Sequence, residues 1–123
     1  MATVLVTGAS GMLGQHLVPM LEKKGYLILA PSQDEIDLTD AAATSAFIGS
    51  NSIDVVVHCA AYVAGIASST TKKHHSFDAN VSMGMNLIRS CLEHGITKLL
   101  NVGSATVYPS DAPQPLSESS LGQ

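Results

Sequence analysis

Charge is scarce in this sequence. Asp, Glu, Lys and Arg make up 13% of the 123 residues, about half the share usual in a soluble globular chain. Six Lys and Arg stand against ten acidic residues, for a formal net charge of −4. That leaves no basic footprint for a phosphate backbone, so nucleic acid is not an expected partner. Cysteine is scarce as well. Cys59 and Cys91 lie far apart in apolar segments, which suits buried reduced thiols rather than a disulfide framework. No apolar run approaches the roughly 18 residues that span a bilayer, and the N-terminus reaches Gly8 after too few apolar residues for a secretory signal. No membrane association and a cytoplasmic location are therefore expected. What is plentiful is apolar: 46% of the chain. That excludes intrinsic disorder and feeds a single core at this length.

Thr3 to Thr7 is apolar and β-branched without alternation, the pattern of a strand buried on both faces. Met12, Leu13, His16, Leu17, Met20 and Leu21 then recur at a helical spacing. Gly25 is the stop, and Pro19 lies inside, where a kink is expected. Tyr26 to Ala30 reads as a second strand. Asp40 can cap a helix from Ala41 to Ile48, stopped by Gly49, and Ile53 to Ala61 reads as a third strand. Residues 62 to 75 have no period and read as a long loop. Ser76 can cap the next helix, whose apolar residues Phe77, Val81, Met85, Ile88 and Leu92 share one face and whose stop is Gly95. Lys98 to Gly103 is a fourth strand, and the proline-punctuated remainder is loop.

The order β-α-β-α-β-α-β predicts an α/β fold: a Rossmann-type, doubly wound parallel sheet with right-handed crossovers. A fourth strand carrying Leu99 and Leu100 at an uncovered edge is a poor place for a domain to end. The expectation is a sheet truncated after about four strands, one incomplete domain over residues 1–123.

Between the first strand and first helix stands Gly8-Ala9-Ser10-Gly11-Met12-Leu13-Gly14. In this strand-to-helix context the spacing signals a dinucleotide site. Gly8 permits the tight turn, Gly11 lets backbone approach a pyrophosphate, and Gly14 lets the helix pack on the strand. The backbone of Ser10, Met12 and Leu13 completes a helix N-terminus that offers N–H groups to the anion.

Gly-x-x-Gly-x-x-Gly in this setting resembles the short-chain dehydrogenase/reductase superfamily, and further strings resemble its extended, epimerase/dehydratase branch. Asp54-Val55-Val56-Val57-His58-Cys59-Ala60-Ala61 is similar to that branch's third-strand motif, Asn80-Val81-Ser82-Met83-Gly84-Met85-Asn86-Leu87 to its helix motif, and Gly103-Ser104-Ala105-Thr106-Val107-Tyr108 to its strand-four motif. Ala60 to Ile66, Asp34 to Asp40 and Gln114 to Ser119 resemble the GDP-L-fucose synthase group within it. The resemblance implies a hydride exchange at a nucleotide-sugar carbon with NAD or NADP. It implies Ser104 as the catalytic hydroxyl on the sugar. It implies Asp37 and Leu38 at the adenine, and Ala60, Ala61, Asn80, Val102 and Gly103 beside the cofactor. It also implies a homodimeric parent.

Two departures bear on chemistry. Where the group has a proton-transferring Cys two residues after the Ser, this chain has Thr106, and a hydroxyl is a far weaker acid than a thiol. The family's Tyr-x-x-x-Lys pair is expected past residue 123, since Tyr26, Tyr62 and Tyr108 have Ala30, Ile66 and Ala112 four residues on. The 123-residue chain is accordingly expected to be inactive alone. The rival expectations are a non-catalytic dinucleotide-binding module and a relative of the UDP-sugar 4-epimerases or dehydratases.

The choice between NAD and NADP stays open: Ala30-Pro31-Ser32-Gln33 offers neither the carboxylate of one nor the arginine of the other. No metal is expected, because the adjacent His74 and His75 lack a completing ligand cluster. His58 is expected to be a satisfied core residue, His16 and His94 solvated.

Overall fold

The run Thr3–Thr7 forms β1 over the full expected span in a computed structural model, which describes residues 1–63 and 73–122. The string Ala64-Gly65-Ile66 lies outside the described residues. There follow α1 (Gly14–Lys23), β2 (Leu27–Leu29), α2 (Ala41–Ser50), β3 (Val55–His58), α3 (Lys73–Glu93), β4 (Leu99–Asn101) and two single 3-10 turns, Ala105–Val107 and Glu118–Ser120. The four strands pair in parallel in the order β2-β1-β3-β4. Register is fixed by pairs such as Val4 with Ile28, Leu5 with Val56 and Val57 with Leu100.

The chain leaves β1 toward β2 on one side, then returns across β1 to β3 on the other. With right-handed crossovers that reversal puts α1 on one face of the sheet and α2 and α3 on the opposite face. The packing agrees: α1 lies against β1 and β2, and α2 and α3 lie against each other. Leu5 and Val56 are fully buried among Ile36, Leu38, Ile48, Ile53, Leu87 and Cys91. Each apolar side chain so buried contributes about 1.5–3 kcal/mol. Val4 and Val6, on the alternate pleat of β1, are buried as well. Both faces of β1 are therefore covered, as its unbroken apolar run requires.

Local corrections have physical causes. β2, β3 and β4 are shorter than their apolar runs. The β1 ladder ends at the pair Thr7 and His58, and Cys59 to Ala61 continue past it as irregular chain. Asp40 caps α2 as expected, its carboxylate accepting from the amides of Ala42 (2.8 Å) and Ala43 (3.0 Å). Gly49 does not stop α2, which runs to Ser50. A side chain there would meet His94, with a Cβ 2.5 Å from its Cε1. The glycine seats that ring, and Asn51 Nδ2 closes the helix end on the Phe47 carbonyl (2.7 Å). His94 is exposed, as expected, and its Nε2 lies 3.0 Å from Ser45 Oγ. The helix expected from Ser76 begins at Lys73, so His74 and His75 are helical.

The stripe of α3 exists but faces outward: Phe77 and Leu92 are 67% and 76% exposed, and Val81, Met85 and Ile88 are also exposed. The opposite side, with Asn86, Leu87, Ser90 and Cys91, meets the core.

Candidate functional site

At the carboxyl ends of the strands lies a cavity of about 660 Å³, within the range of small-molecule and cofactor sites. Every strand exit contributes to it. Gly8, Ser10, Gly11, Met12 and Leu13 follow β1, Pro31, Ser32 and Gln33 follow β2, Cys59, Ala60 and Ala61 follow β3, and Val102 follows β4. It sits over the β1–β3 reversal, where open parallel sheets bind their ligands.

The glycine loop is built by close approach. Gly8 has φ +69, and a Cβ on it would stand 2.5 Å from the Ala60 amide nitrogen and 2.6 Å from its Cα. A Cβ on Gly14 would collide with the Gly8 carbonyl and the Ala9 backbone. Gly11 is different: a Cβ would meet only the Gly8 carbonyl, at 3.2 Å. Packing demands glycine at positions 8 and 14. At 11 the missing side chain leaves room on the cavity wall. The Gly11 amide donates to the Gly8 carbonyl (3.0 Å), closing the turn. Leu13 precedes α1 without a side-chain cap bond, and no acidic residue lies in the first turn. The helix thus brings its N-terminal positive end to the cavity without a carboxylate to neutralise it.

On the β2 side, Asp37 Oδ1 accepts from Thr39 Oγ1 (2.6 Å) and the Thr39 amide (2.9 Å). Those bonds, the side-chain one foremost, hold its carboxyl below the usual range. Glu35, on the same loop, accepts from the Ser32 amide (2.7 Å) and hydroxyl (2.8 Å), which lowers its carboxyl likewise. Buried Asn86 ties the loop to α3, donating to the carbonyls of Leu38 (2.9 Å) and Thr39 (3.1 Å). Beneath the floor, Thr7 Oγ1 and His58 Nδ1 are 2.6 Å apart, and the Ala60 amide donates to Thr7 Oγ1 at 3.3 Å. His58 is a satisfied core residue, as expected. Cys59 borders the cavity, but burial pushes its thiol up, so it stays protonated.

Of the residues singled out from sequence, Gly8, Ser10, Gly11, Met12, Leu13, Asp37, Leu38, Ala60, Ala61 and Val102 border the cavity. Gly14 does not; it is the packing contact beneath the loop. Asn80 does not line it either. Its amide spans the backbone of Tyr62, accepting from the nitrogen (2.8 Å) and donating to the carbonyl (3.0 Å), and so pins the chain just past Ala61. Gly103 and Ser104 also lie off the lining. Ser104 caps the turn Ala105–Val107, its Oγ accepting from the Thr106 amide (3.2 Å) and lying 2.9 Å from Thr106 Oγ1. The hydroxyl and its Thr neighbour are brought together, apart from the cavity.

Sequence reasoning missed Ile36 and Thr39, which flank Asp37, and Ala79, Met83 and His75 on α3. Ala79 and Met83 are four apart on a helix and one turn from Asn86, a signal present in the spacing. His75 stacks edge-on to Tyr62, ring centroids 4.8 Å apart.

A parallel sheet reversing beside a glycine turn, with a cleft over the reversal, defines a Rossmann-type α/β domain. Residues 4–123 match the model of the NAD dependent epimerase/dehydratase family, and the chain belongs to that family. It is 35% identical to GDP-L-fucose synthase 1 of Arabidopsis thaliana over 121 residues, 98% of this chain and 38% of that protein. It is 31% identical to GDP-L-colitose synthase of Yersinia pseudotuberculosis over 115 residues, 94% of this chain and 37% of that one. Among solved structures it is similar to the GDP-mannoheptose C4 reductase of Campylobacter jejuni with NADP bound. There the TM-score is 0.90 at 25% identity, over 98% of this chain and 38% of that one. The chain thus spans less than two fifths of the length of these relatives. Among the described residues no helix is long and apolar enough to cross a membrane.

Proposed function

We propose that the cleft binds NAD or NADP and that the chain is the cofactor-binding portion of a nucleotide-sugar epimerase/reductase, with a GDP-sugar as substrate of the parent. The observation that carries this is Gly11: its place needs no glycine for packing, yet the absent side chain opens the wall beside an uncapped helix N-terminus. A pyrophosphate fits that place and that charge. The loop backbone at Ser10, Met12 and Leu13 would hold the phosphates, Asp37 and Leu38 the adenine, and Ala60 and Ala61 the inner wall, with Gly14 and Asn80 supporting from behind. Val102 and Gly103 lead the chain from β4 toward Ser104. The chemistry supplied by the bound cofactor is hydride exchange with a sugar carbon.

Within this reading Ser104 hydrogen-bonds the sugar oxygen, turning away from Thr106 to do so. Neither hydroxyl is acidic enough to move the proton at neutral pH, and a placed acid/base is worth about 10²- to 10⁴-fold. The 123-residue chain alone is therefore expected to bind cofactor without turnover, as a non-catalytic module also would. A second copy of the parent is the expected partner, and the exposed stripe of α3 is a surface suited to it; the reading is cytoplasmic.

Calorimetry with NAD and NADP is the test. Binding by wild type that Gly11→Val abolishes supports the site, and equal binding by both overturns it. Following NAD(P)H absorbance with GDP-4-keto-6-deoxymannose, and UDP-galactose as the alternative, tests the chemistry. Turnover by the 123-residue chain that vanishes in Ser104→Ala would show that Ser104 itself moves the proton.

A further inference from the structure

The last residues of β1 and β3 are joined beneath the cavity by a buried polar chain that no cofactor contact explains. Thr7 is 2% exposed and His58 6%. The Ala60 N–H donates to Thr7 Oγ1 (3.3 Å), and His58 Nδ1 lies 2.6 Å from the same oxygen. A hydroxyl has one proton to give. Were His58 protonated on Nδ1, it too would donate to Thr7, and the Thr7 proton would be left without an acceptor in a site closed to water, at a cost. The chain therefore runs one way: Ala60 N–H to Thr7 Oγ1, Thr7 O–H to His58 Nδ1. His58 is neutral, with its proton on Nε2. Burial, which lowers the pKa of this imidazole, favours the same neutral form.

The far end of that chain is the residue against which the glycine loop rests. A Cβ at Gly8 would be 2.5 to 2.8 Å from Ala60 N, Ala60 Cα and Cys59 C. Two stretches of backbone touch there with no side chain between them to absorb a shift. Gly8 and Ala60 also both line the cleft where they touch, so whatever fixes Ala60 fixes how the glycine loop sits against the exit of β3.

We propose that His58 and Thr7 are positioning residues for the dinucleotide, their directional hydrogen-bond chain setting the gap between the glycine loop and the exit of β3. The proposal rests on the dinucleotide reading of the cleft. It separates holding the geometry of the site from filling the core, since an apolar pair of similar size would fill the same space without directing Ala60.

Matched variants of the 123-residue chain, assayed for NAD and NADP affinity by calorimetry and for folding by thermal unfolding, test it. Thr7→Val and His58→Leu keep the volume and remove the bonds. Affinity is expected to fall on the order of tenfold in each, the scale of one lost hydrogen bond. Thr7→Ser and His58→Asn restore a hydroxyl and an acceptor, and are expected to stay within about twofold of wild type. His58→Leu leaves the Ala60–Thr7 bond in place and is the variant to read if Thr7→Val fails to fold. Ring ¹⁵N spectra of the wild type should show His58 as the Nε2–H tautomer; the Nδ1–H tautomer overturns the proposal. Folded apolar variants that bind as wild type does overturn the positioning role and leave the dinucleotide reading standing. A wild type that binds neither nucleotide overturns that reading, and the proposal with it.

Discussion

The side-chain amide of Asn86, in the middle of α3, donates to the main-chain carbonyls of Leu38 and Thr39 at 2.9 and 3.1 Å. The Asp37 side of the cleft is thereby held to a helix 48 residues further along the chain. The Leu38 carbonyl in particular needs a donor, because Asn86 and Leu38 are buried. Asn86→Leu removes the donor to Thr39 and the shorter of two donors to Leu38, leaving there only the Thr44 hydroxyl at 3.4 Å, and a loss of about 1–3 kcal/mol is expected. Urea unfolding should show that loss. Calorimetry should show weaker dinucleotide binding, since the loop carrying Asp37 is no longer fixed.

The glycines of the turn should respond differently to the same added methyl group. In Gly14→Ala the new Cβ strikes main-chain atoms of Gly8 and Ala9, which cannot rotate away, and destabilisation of about 1–3 kcal/mol or more is expected. In Gly11→Ala the only neighbour is the Gly8 carbonyl at 3.2 Å, so the melting temperature should move little while nucleotide affinity falls. Unfolding and binding measured on both variants decide it. Equal destabilisation by the two would mean that Gly11 serves packing rather than a ligand.

The sequence speaks clearly where chemistry is local. The run Thr3–Thr7 needs no partner to be recognised as buried strand, and Asp40 announces its helix because the atoms it caps are two and three residues away. The glycine turn is legible for the same reason. Gly49 misleads because its use is tertiary: it ends no helix, but makes room for a ring 45 positions on. The outward stripe of α3 misleads similarly, since periodicity finds a face without saying what meets it. Asn86 appeared only as a letter in a motif, its partners being distant in sequence. The resemblance implies Asn80 and Ser104 as site residues; their bonds here are to the chain's own backbone and to Thr106, and those depend on how loops fold back.

Asp40 gives a prediction independent of any ligand. Its carboxylate accepts two of the orphan amides at the start of α2, and Asp40→Ala should cost about 0.5–2 kcal/mol. Asp40→Asn or Asp40→Ser, which also cap, should recover most of it. Chemical denaturation of the three variants checks this, and no difference between Ala and Ser would remove the capping role.

Stability should fall as the solution is acidified through the histidine range, and His58 should be a cause. Burial holds the His58 pKa below its ordinary 6.5, so between those two values the unfolded chain takes up a proton that the folded chain refuses. Stability then rises with pH across that window. It is complete above about 6.5 and declines as pH drops below it, reaching its full loss beneath the folded pKa. The lowered carboxyls of Asp37 and Glu35 act in the same direction, but only below their ordinary values of 3.8 and 4.5. They do not contribute between pH 8 and about 5.5. Protonation would also put a hydrogen on Nδ1 that donates to Thr7 Oγ1, so in the hydrogen-bond order proposed above the Thr7 proton loses its acceptor while the imidazole loses solvation. His58→Asn keeps an acceptor and removes the titration. Urea midpoints of wild type and His58→Asn at pH 8, 7, 6 and 5.5 should diverge, with the wild type falling relative to the variant as pH drops. The other four histidines are common to both proteins, and the difference belongs to His58 alone. Parallel curves would mean that His58 takes up its proton as readily in the fold as out of it, and the buried neutral imidazole beneath the cleft would have to be abandoned.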